Sequence, residues 1–121
     1  LLTGKMTPQS EFAPDDHRNY NRQGARFDVG ETFAGVDFQA GLEAVEQLRP
    51  LVPAGMTMTQ FALRWILMFD AVTCAIPSAK NRLQATQNAQ AADFPSLSEE
   101  VMARIGEIYR QHIKDRVHQR W

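Results

Sequence analysis

The sequence predicts an α/β fold, mostly helical, with one or two short parallel strands. Three observations carry that prediction. Apolar residues recur at three- and four-residue steps from about Asp37 to Leu51. A short β-branched apolar run, Val72 to Ile76, follows a second apolar helix after only Asp70 and Ala71. A turn and a further helical stretch come directly after that run. Helix, short turn, strand, turn, helix is the alternating order of a parallel α/β arrangement.

Residues 1–35 read as a loop. Leu1 to Lys5 looks like the end of a strand–loop unit, in which Gly4 lets the backbone approach a ligand and Lys5 supplies charge. From residue 6 to residue 35 no 3.6-residue period survives. Pro8, Pro14, Asp15, Asp16, Asn19 and Asn21 bring turn chemistry, and Arg18, Arg22 and Arg26 alternate with acids. A long irregular loop in a compact domain is usually functional or disordered. Arg22 and Arg26 are either phosphate-reaching side chains or members of ordinary surface ion pairs.

The helix from Asp37 to Leu51 carries Phe38, Leu42, Val45 and Leu48 on one face, and Pro50 and Pro53 end it. Thr57-Met58-Thr59-Gln60 reads as a capping box, opening a helix over Thr59–Phe69 that is apolar nearly all round except at Arg64. Such a helix is buried on most sides, so Trp65 and Met68 read as core. Val72–Ile76 reads as a strand buried on both faces, with Cys74 an inert core thiol, and Pro77 stops it. Asn81 caps the next helix, with Gln84 at its third position, and the helix runs on through Ala92. Ser98 caps the last helix, whose apolar stripe is Val101, Ile105, Ile108 and Tyr109. His112 and His118 read as surface histidines, since their spacing does not suit a metal on one helix face.

The turn after the Val72–Ile76 strand is the natural ligand position, because helix N–H groups point out there. It carries Ser78, Ala79 and Lys80, and the helix adds Gln84, Gln87 and Asn88 at three- and four-residue spacing. A hydroxyl, an ammonium and three amides suit a phosphate and a base. A solvated helix face with a surface lysine suits the same composition.

The bulk numbers exclude several classes. The 13 basic and 14 acidic residues balance, which argues against a nucleic-acid-binding module. One cysteine builds no disulfide framework. No run is long and apolar enough for a membrane span, and no signal peptide opens the chain, so a cytoplasmic location is expected.

The run I-P-S-A-K-N-R-L-Q-A-T-Q-N, from Ile76 to Asn88, resembles the I-P-G-A-K-x-x-x-Q-x-x-x-N signature of aldo-keto reductases. Leu1-Leu2-Thr3-Gly4-Lys5 resembles the G-L-L-T-G-K loop after that family's seventh strand, short of its first glycine, Phe61 to Trp65 the helix that leads into its last strand, and Val117 to Trp121 the tail of one branch. Ser78 stands where that branch usually has glycine. The family consists of NADPH-dependent (β/α)8-barrel enzymes that reduce aldehydes and ketones. A whole barrel takes about 250 residues, with about 200 near the floor, so 121 residues are expected to form its carboxyl-terminal part. In that reading residues 1–35 are the loop after the seventh strand. Residues 36–121 are the last barrel helices, the eighth strand and the C-terminal helix.

The resemblance implies NADP as cofactor, gripped by Leu2, Thr3, Gly4, Lys5, Ile76, Ser78, Ala79, Lys80, Gln84, Gln87 and Asn88. It implies NADPH and a small carbonyl compound as partners of the intact enzyme. It also implies that the catalytic tyrosine, lysine, aspartate and histidine lie in the family's first half, so this chain alone is expected to be inactive. Tyr20 and Tyr109 do not match the tyrosine motif. The alternative expectation is a non-catalytic helical interaction domain of the same descent. A part-barrel is also expected to leave a strand edge and apolar helix faces open, favouring a homo-oligomer.

Overall fold

The computed structural model describes residues 1–120. Three helices make the core. α2, Phe38–Leu48, starts where the Asp37 carboxylate accepts the Ala40 N–H at 3.0 Å, and passes into a 3-10 turn at Arg49–Leu51 where Pro50 intervenes. α3, Met58–Ile66, opens on the full capping box: Thr57 Oγ1 accepts the Gln60 N–H, and Gln60 Oε1 accepts the Thr57 N–H. α5, Glu99–His112, is capped by Ser98, with Glu99 and Glu100 in its first turn and Arg110 and His112 in its last. The two carboxylates at its start and the Arg110 guanidinium at its end complement the helix dipole.

Burial follows the apolar stripes. Val45 of α2, Met58 and Phe61 of α3, and Leu97 just before α5 form the inner cluster, with Trp65, Met68, Val101 and Ile105 packed around it. Ile108 is fully enclosed between α5 and its neighbours. Gly41, the fourth residue of α2, allows a close approach: a Cβ there would collide with Leu1 Cδ1. Between α2, α3 and α5 lies an apolar cavity of about 440 Å³ lined by Val45, Phe61, Trp65 and Ile105 among others.

The 6–35 segment is irregular, as its lack of period implies, yet it is internally tied. It contains the short α1, His17–Tyr20, and two 3-10 turns at Val29–Glu31 and Phe33–Gly35. Asn21 is completely buried and serves both ends of its amide. Its Oδ1 accepts the Arg26 and Phe27 N–H groups at 2.9 and 3.1 Å; its Nδ2 donates to Thr32 Oγ1 at 3.3 Å. Phe12, Phe33 and Phe38 stack at centroid distances of 5.0–6.1 Å and fasten the loop to the start of α2. After α5, the short α6, Lys114–Val117, buries Val117, and a last turn spans His118–Arg120. In the tail motif, Trp121 lies outside the described residues.

The strand expected at Val72–Ile76 is not formed. That stretch is irregular chain, Cys74 is exposed and Ile76 is 93% exposed. A parallel strand exists only through ladder bonds to neighbours and helices over both faces. Among the described residues no second strand is present to pair with it. The reading of Cys74 as a core thiol falls with the strand. The helix expected over Thr59–Phe69 stops at Ile66, and the remainder turns back with Phe69 43% exposed. Phe61 is buried, but its successors through Met68 are only half-buried, so the helix does not have the all-round cover that its composition suggests. His112 is also less exposed than expected: its Nε2 meets the Gln47 side-chain amide at 2.7 Å across the α2–α5 contact.

Candidate functional site

The segment from Ile76 to Asn88 forms an exposed turn and a helix, α4, Arg82–Gln90. The helix starts because Asn81 adopts extended backbone and its Oδ1 accepts the Gln84 N–H at 2.9 Å. α4 buries none of its residues, in line with a sequence that has no apolar stripe. Two side chains close the turn onto it. Gln84 Oε1 accepts the Lys80 N–H at 2.8 Å, and Asn88 Nδ2 donates to the Ser78 carbonyl at 3.3 Å. These two amides therefore shape the turn from behind. The Ser78 hydroxyl and the Lys80 ammonium stay exposed at its front, as do Ile76 and Ala79.

α4 is anchored through one bond to the core. Gln60 Nε2 donates to the Gln87 carbonyl at 3.1 Å. Gln87 thus contributes its main chain to the scaffold. Sequence reasoning assigns Gln60 to a capping box, but its second bond depends on α4 being brought alongside α3. Only the fold supplies that.

The charge of the turn is one-sided. No aspartate or glutamate occurs between Asp70 and Asp93, while Lys80 and Arg82 both do. Among the described residues neither forms an ion pair. A hydroxyl, an ammonium, a guanidinium and the first free N–H groups of a helix are a donor set that fits a phosphate.

Leu2 to Lys5 lies elsewhere on the surface of the helical core. The Gly4 N–H closes a turn on the Leu1 carbonyl at 3.0 Å, and Gly4 has a left-handed φ of 66°. A Cβ on Gly4 would stand 3.3 Å from Met58 Cγ, so this backbone rests on the first residue of α3. Leu2, Thr3 and Lys5 are exposed. Among the described residues no hydrogen bond joins Leu2–Lys5 to Ile76–Asn88. The two segments share α3 as a common support: one lies on Met58, the other is held by Gln60.

The loop arginines divide. Arg26 is exposed and its N–H is held by Asn21. Arg22 is fixed by an Nε bond to the Arg18 carbonyl at 2.7 Å and lies over the Phe38 ring at 4.9 Å. Arg18 clamps Asp16 through both carboxylate oxygens, and these bonds, with the Arg18 N–H, hold the Asp16 carboxyl down at about 2. In the sequence Asp16 is visible only as a turn former, and the clamp it makes with Arg18 at the start of α1 is not.

A sequence model of the Aldo/keto reductase family matches residues 1–110 of the chain. The chain belongs to the aldo/keto reductase family. No curated protein and no solved structure is matched alongside it. Membership places the chain in a family of oxidoreductases that act on carbonyl compounds, generally use NAD(P)H and are built on the TIM barrel. The aldo/keto reductase match takes in both Leu2–Lys5 and Ile76–Asn88. Among the described residues, no helix is long and apolar enough to cross a membrane.

Proposed function

We propose that this chain is the cofactor-gripping, carboxyl-terminal part of an NADP-dependent oxidoreductase that reduces aldehydes or ketones to alcohols. One observation carries the reading: the Ser78–Lys80 turn is held open-fronted by Gln84 and Asn88, its cations in no ion pair among the described residues, in a chain of the aldo/keto reductase family. Lys80, Ser78 and the start of α4 would take the extra phosphate that distinguishes NADP from NAD. Gly4 and Lys5 would meet the cofactor from the other supported segment. When bound, the dinucleotide supplies the hydride; the protein's share is orientation and electrostatics.

Neither tyrosine lies on the Leu2–Lys5 or Ile76–Asn88 segments that would hold the cofactor. Tyr20 stands edge-on to Phe27, and the Tyr109 hydroxyl pairs with His118 Nδ1 at 2.9 Å on an exposed surface. The resemblance to the family leaves the acid to the rest of the barrel, and without it proton delivery worth roughly 10²–10⁴-fold would be missing. The non-catalytic alternative, a helical interaction domain, draws on the apolar cavity between α2, α3 and α5. Aldehyde-dependent NADPH oxidation decides between them. The enzyme with its preceding barrel half should show it and the isolated 121-residue chain should not. Turnover by the purified chain itself, abolished by Tyr109→Phe, would overturn the assignment of the acid.

A further inference from the structure

A second positively lined cavity lies away from the Ile76–Asn88 turn. Its volume is about 580 Å³, and it opens between the 6–35 loop, the start of α2 and the tail after α5. Arg22, Arg116 and Arg120 line it, against the one carboxylate of Asp37. That carboxylate is engaged by the Ala40 N–H at 3.0 Å. No residue from Ile76 to Asn88 takes part.

The arginines around this cavity differ from several others in the chain. Arg18, Arg49 and Arg104 each pair with a carboxylate. Among the described residues, Arg22, Arg116 and Arg120 have no such pair. Like charges gathered without counter-charge repel, and an anion relieves that repulsion. Arg22 is also pre-set, since its Nε is tied to the Arg18 carbonyl and its guanidinium lies over Phe12 and Phe38 at 5.5 and 4.9 Å. Arg120 reaches the cavity beside Gly35, where a Cβ would meet its Nη1 at 3.1 Å. Gly35 has a left-handed φ of 76°, so a side chain is disfavoured there by backbone as well as by space. The remaining wall includes Phe33 and Phe38, whose rings are 5.0 Å apart.

We propose that this cavity binds a phosphate monoester carried on an aromatic or apolar body. The three guanidinium groups against one carboxylate leave a net charge of +2, matching a phosphate dianion. The volume exceeds what phosphate alone fills, and the phenylalanine wall takes the carbon part. The carrier is a small phosphate ester separate from the cofactor, whose own 2′-phosphate falls to Ser78 and Lys80 in the reading above.

The test titrates the full chain, labelled with nitrogen-15, with phenyl phosphate, and in parallel with phenol and with inorganic phosphate. The result expected is saturable binding of phenyl phosphate, tighter than either part alone, with shifts at the Gly35 and Phe38 amides and the Arg22 Nε–H. Replacing both Arg116 and Arg120 by Ala should weaken it at least roughly tenfold, the loss of a charged hydrogen bond. Both side chains are exposed, so the fold should persist; should the double variant not fold, Arg116→Gln alone serves. Failure of NADP⁺ to displace phenyl phosphate would support a site separate from the cofactor's, and displacement by NADP⁺ would overturn it. Absence of saturable binding, an unchanged affinity in the arginine variants, or shifts confined to Ser78–Asn88 would each overturn the proposal. The last result would leave the cofactor reading of that turn standing.

Discussion

Gln60 Nε2 donates to the Gln87 carbonyl at 3.1 Å while Gln60 Oε1 accepts the Thr57 N–H at 3.0 Å. One buried side chain thus finishes the cap of α3 and fastens α4, which buries nothing of its own. Gln84 and Asn88 shape the turn from within α4 itself, and Gln60 sets where that turn and helix sit against α3.

Gln60→Glu separates these roles. A glutamate keeps an acceptor for Thr57 but has no donor for Gln87, and it sets a negative oxygen against a carbonyl. α3 should persist, while amide exchange across Arg82–Gln90 should quicken roughly tenfold, the equivalent of one lost hydrogen bond. Hydrogen exchange by NMR checks this. Equal quickening in α3 and α4 would mean the side chain acts through the cap alone.

Local signals were legible and partner-dependent ones were not. The caps at Thr57, Asn81 and Ser98 form where their spacing predicts, because each bond spans three residues and needs no distant group. The stripes of α2 and α5 likewise led to Val45 and Ile108 in the interior. Val72–Ile76 has strand composition but no strand, since composition cannot supply the neighbour that a ladder requires. At the candidate site, Ser78, Lys80 and the Asn81 cap were readable. The use of Gln84 and Asn88 to close the turn, and of Gln60 to hold it, depends on how the chain folds back. Asn21 was counted among turn formers; its burial follows from Arg26–Thr32 wrapping around it.

Asn21→Ala should loosen the loop without unfolding the three-helix core. It removes the acceptor for the Arg26 and Phe27 N–H groups, at a cost of about 1–3 kcal/mol for each left unpaired. Limited proteolysis should then cut between residues 17 and 32 while α2, α3 and α5 remain protected. Resistance equal to the parent's would show that the aromatic cluster, rather than Asn21, holds the loop.

The Asp16–Arg18 clamp makes the start of α1 acid-sensitive at unusually low pH. Arg18 holds the folded-state pKa of Asp16 at about 2, below the roughly 3.9 of an unfolded aspartate. A depressed carboxylate contributes stability above the unfolded value and loses it as pH falls through the folded one. The clamp should therefore be intact at pH 4–5 and weaken progressively from there to about 2. Carboxyl carbon-13 shifts of Asp16 followed down that range check it, and a midpoint at the ordinary aspartate value would show that the clamp is open in solution.

The reading of the Ser78–Lys80 turn as a grip on the phosphate that marks NADP rests most directly on Lys80, whose ammonium is exposed, in no ion pair among the described residues, and structurally unneeded because only its N–H is used by Gln84. The decisive measurement is the dissociation constant for NADPH and for NADH in the intact enzyme, before and after Lys80→Ala. NADPH binding should weaken at least roughly tenfold, the scale of one charge-assisted contact, with NADH binding nearly unchanged. Equal losses for the two cofactors, or none for either, would contradict it.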